Sequence, residues 1–183
     1  MFKIVEKKVL APTIKKIVVK APLIARKTKP GNFIILRIDE FGERIPLTVA
    51  DYDQDSGLIT IIFQEIGYTT KKLGTLEPGD SIKDLLGPLG THLDIEGYNK
   101  VVCIGGGSGT ALLYPKVKAF HDNGAEVITI TGARNRDLII LEDELKKKSD
   151  KLYITTDDGS YGHHGFVTDI LKELLYEYSD IDL

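Results

Sequence analysis

The segment Val101-Val102-Cys103-Ile104-Gly105-Gly106-Gly107-Ser108-Gly109-Thr110 passes from a short apolar run through a glycine turn into a helical pattern that reaches about His121. A buried-type strand that feeds a helix in this way is the opening unit of a parallel sheet with crossover helices. The rhythm continues toward the carboxyl end. Asn123-Gly124 ends the helix, and then come a strand over 127–131, a helix over 138–147, a strand over 152–155 and an amphipathic helix over 167–178. Toward the amino end the pattern changes. Six short strands are expected, over 2–10, 14–20, 33–38, 44–49, 58–64 and 81–86, set apart by turn residues such as Pro30-Gly31 and Pro78-Gly79-Asp80. Runs of this kind belong to antiparallel sheet. The expected architecture is therefore two domains: an N-terminal antiparallel six-stranded β-barrel over 1–97 with one helical insert over 70–76, and a C-terminal α/β parallel-sheet nucleotide-binding domain over 98–183.

Composition narrows the function. The chain has 183 residues, 42% hydrophobic and 28% charged, with a net charge of -3; this supports a real core and excludes a disordered chain. No apolar run approaches the roughly 18 residues of a membrane span. The start, MFKIVEKKVL, lacks the unbroken apolar stretch of a secretory signal. Cys103 is the single cysteine and cannot form an intramolecular disulfide or a cysteine-based metal site. A cytoplasmic protein is expected. With 24 basic against 27 acidic residues there is no electrostatic footprint for nucleic acid or an anionic membrane, so partners are sought among small molecules and proteins.

Where the strand meets the helix, at Gly105 to Gly109, unpaired amides and the helix dipole favour an anionic group. The spacing is not the dinucleotide fingerprint, because G-x-G-x-x-G begun at Gly105 would require glycine where Thr110 stands. A tight turn that needs glycine only for steric reasons is the bland alternative. Two further loops end strands at the same sheet edge: Gly132-Ala133-Arg134-Asn135-Arg136, and Thr156-Asp157-Asp158-Gly159-Ser160-Tyr161-Gly162. Three such loops argue for a shared nucleotide crevice at the carboxyl edge. Arg134 and Arg136 could meet ribose or phosphate, or simply be solvated. Asp157 and Asp158 could work as acid and base, but carboxylates before Gly-Ser more often stabilise a turn. In the first half, Arg44 and Thr48 of Arg44-Ile45-Pro46-Leu47-Thr48 lie four apart and so share one strand face. Both can address one ligand, or both can be ordinary surface residues. Gly67-Tyr68-Thr69-Thr70 opens the short helix, where Thr69 or Thr70 could cap it or hold phosphate. Gly87 to Gly90 reads as a rigid loop leading out of the barrel. His92, His121, His163 and His164 show no metal spacing and read as loop residues.

Taken in order, Arg44 to Thr48, Gly67 to Thr70, Gly87 to Gly90, Gly105 to Gly109 and Asp157 to Thr168 resemble the ferredoxin reductase superfamily. Within it the chain is similar to the electron-transfer subunit of dihydroorotate dehydrogenase and to the small subunit of NADH-dependent ferredoxin:NADP oxidoreductase, also called sulfide dehydrogenase. The runs RIPLT and TDDGSYGHHGFVTD are the specific part of the likeness. The resemblance implies an FAD-binding barrel followed by a domain for NAD(H) or NADP(H). By position, Arg44, Pro46, Leu47 and Thr48 would line the flavin, with Arg44 against the pyrophosphate and Thr48, in the catalytic role, near the ring nitrogen that takes hydride. Ile62, Phe63 and Gln64 would border its adenine or ribityl side, while Gly67, Thr69 and Thr70 would hold the pyrophosphate. Gly106, Gly107 and Thr110 would admit the nicotinamide, and Arg134 and Asp158 would face the adenosine.

The implied activity is transfer of hydride between NAD(P)H and FAD, with electrons passed on to a partner iron-sulfur centre, a catalytic subunit or an electron-accepting subunit. That chemistry belongs to the cofactor and needs no triad or acid-base dyad. A nucleotide-binding or sensing module without turnover and a purely structural domain are the alternatives. The chain also departs from its resemblers. Pro46 stands where many relatives carry an aromatic residue, and Ala111-Leu112 stands where relatives often have Ala-Pro. The resembling subunits add a further strand and a four-cysteine segment for a 2Fe-2S cluster, and one cysteine cannot supply four thiolates. The tail from Ser179 to Leu183 reads as the approach to such a strand, so a chain cut short of its full domain is expected.

Overall fold

Phe2–Ala11 (β1) and Ile14–Lys20 (β2) pair as an antiparallel hairpin, and β2 continues the sheet onto Leu58–Gln64 (β5). Ile45–Asp53 (β4) lies on the far side of β5, followed by Phe33–Arg37 (β3). These elements belong to a computed structural model that describes every residue from Met1 to Leu183. Two helices interrupt the strands, the short turn Pro22–Ala25 (α1) and Tyr68–Thr75 (α2). Alternation does the sorting: Ile17, Val19, Ile34, Leu36, Ile59 and Ile61 point into one core and are fully buried. Each such side chain contributes about 1.5–3 kcal/mol by burial.

The sheet order is β6-β1-β2-β5-β4-β3-β7, where β6 is Ser81–Ile82 and β7 is Asp84–Leu89. The six-stranded expectation therefore needs correction to seven, because the last strand is divided. Ile82 pairs with Phe2 and Asp84 pairs with Arg37, with Lys83 between them donating its N–H to Ile38 O at 2.9 Å. One run of chain thus serves both sheet edges and leaves little edge open. Gly87 and Pro88 lie inside β7 and not in a loop. A Cβ at Gly87 would come within 2.7 Å of Ile34 Cγ2, so glycine is what lets β7 lie close on β3.

The chain divides by its contacts into Met1–Leu93 and Asp94–Leu183. The second unit is a parallel sheet of order β11-β10-β9-β8, with β8 Lys100–Gly106, β9 Glu126–Ala133, β10 Lys151–Thr156 and β11 His163–His164. Thr110–Asp122 (α3) connects β8 to β9, and Val167–Glu177 (α5) buries Ile170 and Leu174 against Ile128 and Ile130 of β9. Two expectations change. The helix over 138–147 shrinks to Glu142–Lys146 (α4), because Ile139 is extended and Leu141 is left-handed at φ 58°, an arrangement that buries Ile140 and Leu141. His163 and His164 are a short strand rather than loop residues, paired in parallel with Thr155 and Thr156. Beside β8, Asp182 N donates to Lys100 O at 2.9 Å and Leu183 O accepts from Val102 N at 2.8 Å. No helix is long and apolar enough to cross a membrane.

Candidate functional site

In the barrel unit the alternation of β4 sends Ile45, Leu47 and Val49 into the core. Arg44, Pro46 and Thr48 therefore share the outer face. Arg44 is exposed and makes no ion pair, and the Thr48 hydroxyl has no partner in the chain. Leu47 offers this face only its backbone. Pairing brings two further residues beside Pro46: Ile35 lies opposite Pro46 on one side and opposite Leu86 on the other. Leu86 is 60% exposed, so a row of apolar side chains lies open across β7, β3 and β4. Sequence reading missed Ile35 and Leu86, since only the strand register reveals them.

Of the three neighbours expected from β5, Phe63 turns into the core, Ile62 lies on the opposite face, and Gln64 bonds the Thr13 hydroxyl at 3.2 Å. The start of α2 is more specific. The Thr70 hydroxyl accepts from Ile66 N and Gly67 N at 3.1 Å and donates to Gly67 O, which closes the turn. The Thr69 hydroxyl, in a residue only 6% exposed, donates to Glu43 Oε2 at 3.0 Å. Both hydroxyls are thus spent on structure. The N–H groups of Tyr68, Thr69 and Thr70 lie in the first turn, where a helix supplies no acceptor, and the dipole there favours an anion. Nothing lies within 4 Å of a Cβ placed on Gly67, so the approach is open. A free guanidinium, helix-start amides and an apolar strip beside a free hydroxyl suit a diphosphate-linked flat ring, and the donor set fits FAD.

In the α/β unit the glycines answer the steric question individually. A Cβ on Gly105 would stand 3.0 Å from Leu113 Cδ2, and one on Gly132 would stand 2.5 Å from Thr155 Oγ1; these two glycines serve packing. Gly107 needs its conformation, at φ 53°. Gly106 is different. It is extended, and a Cβ there would meet only Gly132 O at 3.6 Å, while Gly109 would meet nothing within 4 Å. Packing does not require glycine at either position, and the bare backbone suits close approach by a dinucleotide. The Thr110 hydroxyl is buried and bonded to Thr131 Oγ1 at 2.9 Å, so it braces α3 on β9 and does not face outward.

The loops after β9 and β10 are laced together. Asp158 N donates to Arg134 O at 3.2 Å, and Arg136 N donates to Ser160 Oγ at 2.9 Å. Asp158 accepts from Ser160 N at 2.9 Å, and its bonds to Ser160 hold its carboxyl below the usual range. It is a turn-forming carboxylate. The Arg136 guanidinium stands 5.1 Å above the Tyr161 ring, whose hydroxyl donates to Glu142 Oε1 at 2.7 Å and is pushed up in pKa by that bond. Arg134 is exposed with no ion pair. Tyr161, Ser160 and Glu142 were not legible as site residues, because their roles come from contacts between loops. A 2Fe-2S cluster does not fit this chain: Cys103 is its single cysteine and is buried in β8.

A barrel with an arginine-threonine strand face and a helix-start anion cradle, followed by a parallel α/β sheet with a glycine bed, defines the ferredoxin reductase-like fold. The ferredoxin reductase of carbazole 1,9a-dioxygenase shares that fold at TM-score 0.83 and 16% identity, over 96% of this chain and 56% of that one. No protein-family model matches the chain. Against the structure of an NADH-dependent reduced ferredoxin-NADP oxidoreductase, described for flavin-based electron bifurcation, the TM-score is 0.91 at 40% identity, covering 97% of this chain and 64% of that one. The chain is 42% identical over 174 residues to a homolog of the dihydroorotate dehydrogenase B (NAD(+)) electron transfer subunit in Thermotoga maritima, covering 95% of this chain and 61% of the homolog. It is 31% identical over 177 residues to that subunit in Streptococcus pneumoniae serotype 4, covering 94% of this chain and 70% of the relative. The chain belongs to the family of dihydroorotate dehydrogenase B electron transfer subunits. It spans about six-tenths of the length of the Thermotoga relative.

Proposed function

We propose that the chain is an electron-transfer flavoprotein module, with residues 1–97 binding FAD and residues 98–183 binding NAD(H) or NADP(H). The observation that carries this reading is the outer face of β4, where Arg44 and Thr48 stand together with no partner in the chain. Arg44 neutralises the flavin diphosphate by charge-assisted hydrogen bonds, and the α2 amide N–H groups of Tyr68, Thr69 and Thr70 donate to the same anion. Pro46, Ile35 and Leu86 offer an apolar seat, and the Thr48 hydroxyl orients the ring by a hydrogen bond at its reactive side. Bound FAD supplies a two-electron hydride acceptor that can release electrons singly.

On the α/β unit, Gly106 and Gly107 give backbone approach to the dinucleotide, while Arg134 and the Asp158 turn border its adenosine end. NADH is the favoured donor, since the named relatives are NAD(+) or NADH proteins and Arg136 already stands over Tyr161. The onward acceptor is a partner subunit with its own redox centre, in keeping with relatives named electron transfer subunits. A cytoplasmic location belongs to the same reading. Equilibrium dialysis of the purified chain against FAD, and separately against NADH, tests it. The expected result is stoichiometric retention of FAD by the wild type and loss of most of it by Arg44→Ala. Failure of the folded chain to retain any flavin sinks the proposal.

A further inference from the structure

The segment between β3 and β4 is fastened to α2 at two points. Glu43 accepts the hydroxyl of Thr69 at 3.0 Å, and Asp39 forms an ion pair with Lys72. The spacing is matched on both sides: Thr69 and Lys72 are three apart and lie on one helix face, and the two carboxylates are four apart in the loop. The helix is also pinned at its other end. Lys15 bonds Gly74 O at 3.1 Å and Glu65 at 2.7 Å, and a Cβ on Gly74 would come within 1.8 Å of Glu65 Oε1. The α2 start is thus held as a fixed body, and the residue after Glu43 is Arg44.

We infer that Glu43 and Thr69 are positioning residues for the flavin diphosphate: their part-buried hydrogen bond keeps the Arg44 guanidinium and the first-turn amides of α2 in one preassembled cradle, a step that rests on the barrel's binding FAD. Thr69 acts through Glu43 and not on the phosphate, because its one hydroxyl proton is already donated. A carboxylate close to an anion site is electrostatically adverse, so what Glu43 contributes is its acceptor oxygen and not its charge. That distinction fixes the variants. Glu43→Gln keeps the acceptor and removes the charge; Glu43→Ala removes both. Thr69→Ser keeps the donor, and Thr69→Val removes it at nearly constant shape.

The test is equilibrium dialysis of the flavin-stripped chain and its variants against FAD and against riboflavin, which lacks the diphosphate. Glu43→Ala and Thr69→Val are each expected to weaken FAD by up to about tenfold, the size of one lost hydrogen bond, and to move riboflavin by less than about twofold. The double variant is no weaker than the weaker single one, since both remove the same bond. Glu43→Gln and Thr69→Ser bind FAD at least as tightly as about a third of the wild-type affinity. The inference is overturned if Glu43→Ala binds FAD as tightly as the wild type or tighter, if FAD and riboflavin weaken alike, or if the two losses add. A folded wild type that binds no flavin would instead strike the flavin reading itself and take the cradle with it. Thr69→Val, being nearly isosteric, decides the matter if Glu43→Ala does not fold.

Discussion

The barrel unit and the α/β unit offer surfaces of different material to the ligands we propose for them. On the barrel, the surface is made of side chains: Arg44, Pro46 and Thr48 on one face of β4, backed by a helix whose own threonines are committed to internal bonds. On the α/β unit the surface is backbone, exposed where Gly106 and Gly109 carry no side chain and need none for packing. Two of the barrel's glycines, unlike Gly67, behave in the opposite way. A Cβ on Gly57 would meet Pro22 Cβ at 2.7 Å and one on Gly87 would meet Ile34 at 2.7 Å, so these are packing glycines. On the proposed reading, a ligand surface is marked by unmet capacity, a cation without a partner or a glycine without a neighbour, rather than by the residue type.

Substitutions that separate packing from binding probe this contrast. The largest effect is expected at Gly162, which has φ 66° and where a Cβ would stand 2.2 Å from Ile154 O; Gly162→Ala should destabilise the α/β unit by about 3 kcal/mol or more, seen in denaturant unfolding, without touching the barrel's FAD affinity. Arg44→Ala is the mirror case, with FAD affinity reduced about 10- to 100-fold for the loss of charge-assisted bonds and an unfolding midpoint little changed. Gly106→Val should weaken NADH about tenfold in dialysis while stability shifts by less than about 1 kcal/mol, because the site has space but the dinucleotide needs it.

Two smaller tests follow titration. Burial pushes the Cys103 thiol up to about 11 from 9.0, and a difference of two pH units is about a hundredfold in thiolate. At neutral pH a thiol reagent should therefore react about a hundredfold more slowly with the native chain than with the unfolded one. Lys72 holds the Asp39 carboxyl below its usual value by a hydrogen bond. A lowered folded pKa means that the pair stabilises above the ordinary aspartate range and is lost as pH falls through the lowered value. Amide exchange protection in α2 should be flat from neutral pH down to about pH 4 and fall below it, with the fall missing in Asp39→Asn.

Much of this was legible in the sequence. The glycine run after Val101 to Ile104 marked the parallel sheet, and the four-residue spacing of Arg44 and Thr48 marked a shared face. What stayed hidden depends on register or on long-range contact. Ser81 to Leu86 reads as one strand, because nothing local announces that Lys83 hands the chain from β1 to β3. Residues 138–147 carry helical periodicity, yet burial of Ile140 and Leu141 outweighs it and puts Leu141 at positive φ. Ile35 and Leu86 join the site only through pairing with Pro46, and Glu43 only through Thr69.

We propose that one chain holds both a flavin and its reductant and passes hydride between them. Anaerobic mixing of the FAD-loaded chain with NADH, followed in the flavin absorbance band, tests it most directly. The account predicts bleaching with one NADH consumed per flavin, and in Gly106→Val, with its FAD content intact, bleaching that needs about tenfold more NADH to reach the same rate. NADH binding that leaves the flavin band unchanged would contradict it.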